Sequence, residues 1–214
     1  MAELSRQLIE GLPKNGATDP IEYYRRPFVG ALYRERINMG LRLLGRRHYD
    51  SALEVGYGAG AVLLALSSAA SKLSGIDLDA DPSIASGLLA QRNVKADLRQ
   101  GSVFELPWGE GMFDLAVCFS VFEHLTEYRA GLREVARVLR PGGHFLLGMP
   151  AVNRLMELGF LAIGFKGIDD HHVTRPMDVR KALGDTGFRI RSTRYLGIPQ
   201  AHAALYTTWL LERT

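Results

Sequence analysis

Residues 52–60 constrain the fold of this chain more than any other stretch. They read ALEVGYGAG, an apolar strand that runs through a carboxylate into three glycines at alternate positions, and residues 62–70 predict a helix directly after them. Glycine is needed at such a turn because some positions take backbone angles closed to other residues, and because a ligand can lie on a main chain that carries no Cβ. A strand, a glycine turn and a helix in this order indicate the mouth of a nucleotide-type cofactor site.

Short apolar strands and helices alternate along the rest of the chain. The pattern predicts strands at 52–55, 73–77, 97–100, 113–119 and 144–149, and helices at 28–44, 62–70, 82–91, 128–139 and 176–186. Such alternation is typical of an α/β fold, a doubly wound parallel sheet with helices on both faces. Ligands of these sheets bind outside the carboxyl ends of the strands, where Glu54, Asp77 and Phe119 fall.

Two ligand classes compete for the glycine loop. Residues 56–61 satisfy the dinucleotide fingerprint of NAD-binding proteins, and Asp77 lies near the expected offset of about 20 residues. Glu54, however, would repel a pyrophosphate, and no Lys or Arg occurs between residues 50 and 72. S-adenosylmethionine carries a sulfonium and an ammonium and no phosphate. The electrostatics of the loop therefore favour S-adenosylmethionine.

Further motifs follow in a fixed order after the loop. They are GID at 75–77, ELPW at 105–108, FDL at 113–115, FEHL at 122–125 and LRPGG at 139–143. Together with the glycine loop, this series resembles the class I S-adenosylmethionine-dependent methyltransferases from about residue 49 to 150, and again at 183–188. The resemblance implies a Rossmann-like, seven-stranded, mostly parallel sheet whose antiparallel C-terminal edge is a hairpin of strands 188–196 and 204–211.

The resemblance also implies the residues of a cofactor site. The glycine loop would pass under the methionine part of S-adenosylmethionine, with Glu54 facing the ammonium directly or through water. The loop residues expected to contact the cofactor are Gly56, Tyr57, Gly58 and Gly60.

The remaining cofactor contacts are expected beyond the loop. Asp77 would accept hydrogen bonds from both ribose hydroxyls, an interpretation that its place at a strand end also supports. Leu78 would pack on the adenine, and Phe119 would line the methionine side through its carbonyl. Many relatives have an acid where this chain has Ser102, so adenine recognition is expected to use the weaker Ser102 hydroxyl and the backbone of Val103.

A candidate general base lies in the sequence DDHH at 169–172. Histidine titrates near neutral pH and a neighbouring carboxylate would orient it, so His171 and His172 are the candidate catalytic residues, with a capping or loop-fixing role as the alternative. Adjacent residues of an extended chain point to opposite faces, so this cluster does not predict a metal site. His124 is interpreted as structural, because members of the methyltransferase family that this chain resembles have histidine at this position although they act on unrelated substrates.

The domain organisation follows from the same patterns. At 214 residues and 47% hydrophobic content, the chain suits one well-buried domain. Residues 1–48 are expected to form a helical cap on the substrate side and 49–214 the methyltransferase domain. The apolar, glycine-broken stretch within 151–175 predicts a substrate lid or, equally, an extra helix over the core. The YYRR sequence at 23–26 is a candidate to hold the methionine carboxylate or, alternatively, an aromatic surface patch beside solvated arginines.

The predicted function is methyl transfer from S-adenosylmethionine to an oxygen or carbon of a small-molecule, apolar or lipid-like acceptor, with S-adenosylhomocysteine as the product. An NAD-dependent reductase and a non-catalytic S-adenosylmethionine-binding domain stay open as alternatives. The chain has no long Lys/Arg run with interleaved aromatic residues, so nucleic acid is not the first choice of partner. No apolar run approaches the ~20 residues of a membrane span and residues 1–16 lack the order of a signal peptide, so we expect a cytoplasmic protein. The sequence leaves the oligomeric state open.

Overall fold

A computed structural model describes residues 3–17, 19–27, 29–151, 173–197 and 204–214. Seven strands form one sheet in the order β3-β2-β1-β4-β5-β7-β6. Strands β1 to β5 are parallel, and β7 pairs antiparallel with both β5 and β6. The predicted Rossmann-like fold with an antiparallel C-terminal edge is confirmed. The strands are β1 (Tyr49–Val55), β2 (Ala70–Asp77), β3 (Asp97–Gln100), β4 (Phe113–Phe119), β5 (Leu139–Pro150), β6 (Phe188–Gly197) and β7 (Ala204–Arg213).

Helices cover both faces of the sheet. They are α1 (Ile21–Arg25), α2 (Val29–Leu43), α3 (Ala61–Leu66), α4 (Pro82–Ala90), α5 (Tyr128–Val138) and α6 (Pro176–Ala182), with 3-10 turns at Phe122–His124 and Gly184–Thr186. Among the described helices, none combines the length and the apolar composition needed to cross a bilayer.

Several predicted element boundaries differ from the structure, and two of them have a local cause. The helix expected at 62–70 ends at Leu66, where the hydroxyls of Ser67 and Ser68 hydrogen-bond the carbonyls three residues earlier, and β2 already begins at Ala70. Such local bonds compete with helix continuation. The fifth strand begins at Leu139 instead of residue 144. Gly142 therefore lies inside the strand, where its φ of +75° fits a bulge.

The core has two apolar layers, one on each face of the sheet. One layer joins α2, α3 and the N-terminal residues Leu4, Ile9 and Leu12, and the other joins α5, α6 and the sheet face opposite. Residues 52–55 of β1 are buried on both faces, as expected for a central parallel strand. Burial on both faces fixes the strand ends, and so fixes the edge at which a ligand binds.

Asp114 anchors the opposite, amino end of the sheet. Its Oδ2 accepts hydrogen bonds from the backbone N–H groups of Asp50 and Ser51, each at 2.9 Å, and its Oδ1 lies 2.6 Å from Nε of Arg140. The carboxylate thus ties the start of β1 to β4 and β5. Its role at the amino ends of the strands is therefore structural.

Candidate functional site

A cavity of about 840 Å³ opens at the carboxyl edge of the sheet. It extends from the ends of β2 and β3, past β1 and β4 at the centre, to the ends of β5, β6 and β7. The N-terminal segment and helices α1 and α2 close it from one side. The strand order therefore gives the cavity a glycine-loop end beside β1 and β2 and an α2 end beside β5 and β7.

The glycine loop leaves β1 with left-handed backbone angles at each glycine. Gly56, Gly58 and Gly60 have φ values of +84°, +49° and +83°. A Cβ on Gly56 would lie 2.5 Å from Cγ2 of Val121, and one on Gly58 would lie 3.1 Å from the Asp19 carboxyl carbon. Gly56 and Gly58 line the cavity, whereas Gly60 lies behind it as the residue that begins α3. Val121 and Asp19 thus occupy the space that side chains at Gly56 and Gly58 would need, so both positions require glycine.

Glu54 lies at the end of β1 and is only 4% exposed. The N–H of Leu63 donates to its carboxylate, while its Oε2 is buried and has no hydrogen-bond partner among the described residues. Burial and the neighbouring Asp77 and Asp19 carboxylates raise the pKa of Glu54 well above its usual value. A buried acid with an unused oxygen and two acidic neighbours favours a cationic ligand.

Asp77 at the end of β2 supports the loop with both of its oxygens. Oδ2 accepts from the N–H of Gly58 at 2.9 Å, and Oδ1 accepts from the N–H groups of Asp79 and Ala80 at 2.9 and 3.0 Å. A carboxylate offers about four acceptor sites, so three are in use. The carboxylate keeps acceptor capacity for a further donor, and its contact with the ribose hydroxyls stays a prediction.

Two polar residues at the loop were missed by the sequence reasoning. Asn15 is 3% exposed, and its amide donates to the carbonyls of Gly58 and Asp81 at 2.9 and 3.0 Å. Asp19 accepts from the N–H groups of Asn15 and Ile21, both at 3.0 Å, and burial raises its pKa. The breaker-rich segment that carries them has no periodicity, so no sequence signal placed either residue on the glycine loop.

The other predicted cofactor residues also line the cavity. Tyr57 packs its ring against Gly75 and donates its hydroxyl to the carbonyl of Ala80 at 3.3 Å, so the side chain fixes the loop from behind. Leu78 is 67% exposed and free to pack on a ligand, and Val103 is buried beside Ser102.

Phe119 divides the cavity at the end of β4. Its ring fits between Gly40 of α2 and Gly148 of β5, where added Cβ atoms would come within 2.8 and 2.4 Å of ring carbons. The ring therefore occupies a slot that exists because both neighbours lack side chains. Phe119 lines the boundary between the glycine-loop end and the α2 end.

At the α2 end, an arginine lies among three tyrosines. The Arg36 guanidinium lies 4.4, 5.3 and 5.7 Å from the ring centroids of Tyr33, Tyr206 and Tyr24, and its Nη2 donates to the Tyr24 hydroxyl at 3.2 Å. Its Nε is buried and without a partner among the described residues. This end of the cavity is aromatic and holds one fixed positive charge.

Glu123 faces Arg36 from the turn after β4. It is 1% exposed and accepts hydrogen bonds from its own N–H and from the Ser120 hydroxyl, while Oε2 is buried and has no partner within the described chain. Burial raises the pKa of Glu123 to about 7, although Arg36 and Ser120 oppose the shift. The Ser120 Oγ lies 3.0 Å from the Tyr206 hydroxyl, so the two hydroxyls and the carboxyl form a chain. The FEHL sequence at 122–125 contains Glu123, but nothing in its local pattern shows that this acid is buried.

The remaining residues considered for the site differ in where they lie. His171, His172 and most of the expected lid lie outside the described residues. Within residues 23–26, Tyr23 and Tyr24 line the cavity, whereas Arg26 stacks on Tyr23 with its Cζ 4.8 Å from the ring centroid. His124 lines the cavity with its side chain 44% exposed, and Cys118 is a buried free thiol in β4.

Known proteins share the sequence of the central region. The methyltransferase domain family matches residues 53–147. An uncharacterized methyltransferase of Bacillus subtilis is 34% identical over 115 residues, which make up 53% of this chain and 46% of that protein. A ubiquinone biosynthesis O-methyltransferase of Marinobacter nauticus is 31% identical over 122 residues, or 55% and 49% of the two chains. The chain spans about half the length of the curated relatives it matches.

Solved structures share the fold over more of the chain. The N-methyltransferase NodS of Bradyrhizobium japonicum, in complex with S-adenosylhomocysteine, superposes over 99% of both chains with a TM-score of 0.68 at 20% identity. The Bacillus subtilis protein covers 83% of this chain and 95% of its own, with a TM-score of 0.60 at 18% identity. At such identities the likeness shows the fold.

Proposed function

Because this chain carries a class I S-adenosylmethionine-dependent methyltransferase domain, we propose that it moves the methyl group of S-adenosylmethionine to a small-molecule acceptor. The carboxylates of Glu54, Asp77 and Asp19 around the bare glycine loop carry this proposal. A methyl donor with an ammonium and a sulfonium compensates the buried negative charge, whereas a pyrophosphate would add to it.

The cofactor would lie along the edge of the sheet. Its methionine part would rest on the glycine loop with the ammonium toward Glu54, and its ribose hydroxyls would donate to the Asp77 carboxylate. The adenine would pack between Leu78 and Val103, with Ser102 beside it. Phe119 would line the methionine side of the cofactor.

The reaction is an in-line displacement at the methyl carbon. The acceptor forms a bond to carbon, the carbon–sulfur bond breaks, and S-adenosylhomocysteine leaves with a neutral sulfur. No leaving anion has to be stabilised, so most of the catalysis is positioning, which can contribute ~7–11 kcal/mol.

We assign the acceptor to the α2 end of the cavity. Tyr24, Tyr33 and Tyr206 give this end aromatic walls, which suit an apolar or aromatic acceptor. Residues 1–48 thereby act as a cap on the acceptor side, and transfer to oxygen is favoured over carbon because a buried acid and a hydroxyl chain lie there. The ubiquinone biosynthesis O-methyltransferase among the relatives agrees with an oxygen acceptor.

Ligand-dependent thermal unfolding tests the proposal. The protein is heated alone and with S-adenosylmethionine, S-adenosylhomocysteine or NAD at matched concentrations. A ligand at about a hundred times its dissociation constant stabilises the folded state by roughly 2.7 kcal/mol. We expect both adenosyl compounds to raise the Tm and NAD to leave it unchanged. Stabilisation by NAD alone would make the chain an NAD-binding protein and end the methyltransferase proposal.

A further inference from the structure

One buried acid at the α2 end has an oxygen that the fold does not use. Glu123 is 1% exposed, lines the cavity, and keeps Oε2 without a hydrogen-bond partner among the described residues. A buried carboxyl oxygen without a hydrogen bond is destabilising, more so when it is charged, so an oxygen of this kind beside a cavity marks a place where a ligand can donate a hydrogen bond.

The surroundings of Glu123 define which donor fits. Arg36 brings a fixed positive charge that favours an oxyanion and opposes a protonated amine. The aromatic walls of Tyr24, Tyr33 and Tyr206 suit a flat ring. A ring that carries an acidic hydroxyl satisfies both conditions, because its oxygen becomes negative as the proton leaves.

We propose that Glu123 is the general base of this site and that the acceptor is a phenol, whose developing phenolate faces Arg36. The inference rests on the proposed methyltransferase function and deepens it. The carboxylate takes the phenol proton while the phenol oxygen bonds to the methyl carbon and the carbon–sulfur electron pair passes to sulfur. The products are an aryl methyl ether, neutral S-adenosylhomocysteine and protonated Glu123, which returns its proton to solvent.

The protonation behaviour of Glu123 agrees with this role. Burial raises the pKa of Glu123 to about 7, where a carboxyl group can both take and release a proton at neutral pH. The Ser120 hydroxyl donates to Glu123 and can itself accept from the Tyr206 hydroxyl, so the carboxyl is held in place by a chain of two hydroxyls. Tyr206 keeps its proton throughout, because burial raises the pKa of its hydroxyl.

Other charged or titratable groups also face Glu123. Arg36 approaches from α2, Tyr206 from β7 and Cys118 from β4, and Nε2 of His124 lies 4.0 Å from Oε1 of Glu123. The Cys118 thiol has a pKa raised well above its usual value by burial and by Glu123, so it stays neutral. Because His124 lies so close to Glu123, it needs its own variant in the test.

The experiment uses 4-methylphenol, whose hydroxyl ionises near pH ~10 as a tyrosine side chain does, and S-adenosylmethionine labelled in the methyl group. Methyl transfer is measured across pH 5.5–9.5, and S-adenosylhomocysteine binding is measured by calorimetry on the same variants. We expect Glu123→Gln to lower kcat by about 10²–10⁴-fold and to remove the rise of kcat/KM through pH 7, while S-adenosylhomocysteine affinity stays within about twofold of the parent. Glu123→Asp should restore part of kcat.

The matched control is Glu127→Gln, the loss of an exposed carboxylate four residues further on. It should keep the activity and the pH profile of the parent. A Glu123→Gln variant with the parental kcat overturns the assignment of the base. So does a rise of kcat/KM with pH that persists in Glu123→Gln and disappears in His124→Gln. A parent that binds S-adenosylhomocysteine but neither binds nor methylates 4-methylphenol overturns the assignment of a phenol as the acceptor. A parent that binds neither adenosyl compound overturns the proposed function itself.

Discussion

Replacing Gly40 by alanine tests whether the slot for Phe119 shapes the cavity. Gly40 lies in α2, where alanine is favoured over glycine by ~1 kcal/mol, so an uncrowded substitution would stabilise the protein. A Cβ at Gly40 would, however, lie 2.8 and 2.9 Å from Cε1 and Cζ of Phe119 and 3.0 Å from Cγ2 of Thr208. Carbon atoms prefer separations of about 3.5–4.0 Å, and overpacking of this kind costs ~1–3 kcal/mol.

The two effects have opposite signs, and the clash is the larger. We expect Gly40→Ala to lower the free energy of unfolding by up to ~2 kcal/mol, which is the cost of the clash less the helix-propensity gain. In a domain of this size, each kcal/mol corresponds to ~2–4 °C of Tm. Displacement of the Phe119 ring into the cavity should also weaken S-adenosylhomocysteine binding.

A double-mutant cycle assigns the cost to Phe119. Phe119→Ala alone should destabilise the protein by ~3–5 kcal/mol, but Gly40→Ala added to it should be neutral or stabilising, because only the Thr208 methyl remains close. The control is Gly87→Ala in α4, where an added Cβ meets nothing within 4 Å and a gain is expected. Urea unfolding measures all five proteins. Equal effects of Gly40→Ala with and without the Phe119 ring would refute the reasoning.

Three further predictions concern buried polar groups. Asp114→Asn should lower the free energy of unfolding by ~1–3 kcal/mol, because it weakens the charge-assisted bonds at the start of β1; an unchanged urea midpoint would contradict this. Asn15→Ala should lower the free energy of unfolding by a similar ~1–3 kcal/mol and also weaken S-adenosylhomocysteine binding, because the hydrogen bonds of Asn15 to Gly58 and Asp81 hold the loop. Parental affinity for S-adenosylhomocysteine in calorimetry would contradict the effect on binding. Burial raises the pKa of Glu54 in the folded state, so the folded protein holds this proton more tightly than the unfolded chain does. The free energy of unfolding of the unliganded protein should therefore fall as the pH rises from the ordinary carboxyl pKa through the raised pKa of Glu54. Glu54→Gln should remove that loss. Urea unfolding at pH 5 and pH 8 measures the difference, and identical pH slopes for parent and variant would contradict it.

The parts of the site that were predictable from the sequence are those formed by local stretches of chain. The glycine loop, Glu54 and Asp77 each lie at the end of a short apolar strand, so their place at the carboxyl edge followed from the alternation of elements. The antiparallel edge came from the resemblance to a family, because the order of strands β7 and β6 has no local signature.

The α2 end of the cavity could not be predicted in the same way. Arg36, Glu123 and Tyr206 are separated by more than eighty residues each, and they meet because α2 packs across the sheet near β5 and β7. In the sequence alone, each of these residues has an ordinary explanation. Arg36 fits the surface of a helix, Glu123 fits a turn and Tyr206 fits a strand. Their shared function depends on tertiary contacts that periodicity does not encode.

The two ends of the cavity carry opposite charges, and this arrangement fits the charge changes of methyl transfer. The carboxylates at the glycine loop favour a cationic donor, and Arg36 favours an oxygen acceptor as it becomes negative. An acceptor that entered already ionised would be attracted by Arg36 before the reaction begins. Arg36 would then bind the ground state and the transition state equally, which does not raise kcat. A phenol that enters neutral and loses its proton to Glu123 during attack meets that charge only as the bond to carbon forms. The buried base therefore makes the fixed cation at Arg36 act on the transition state more than on the bound acceptor.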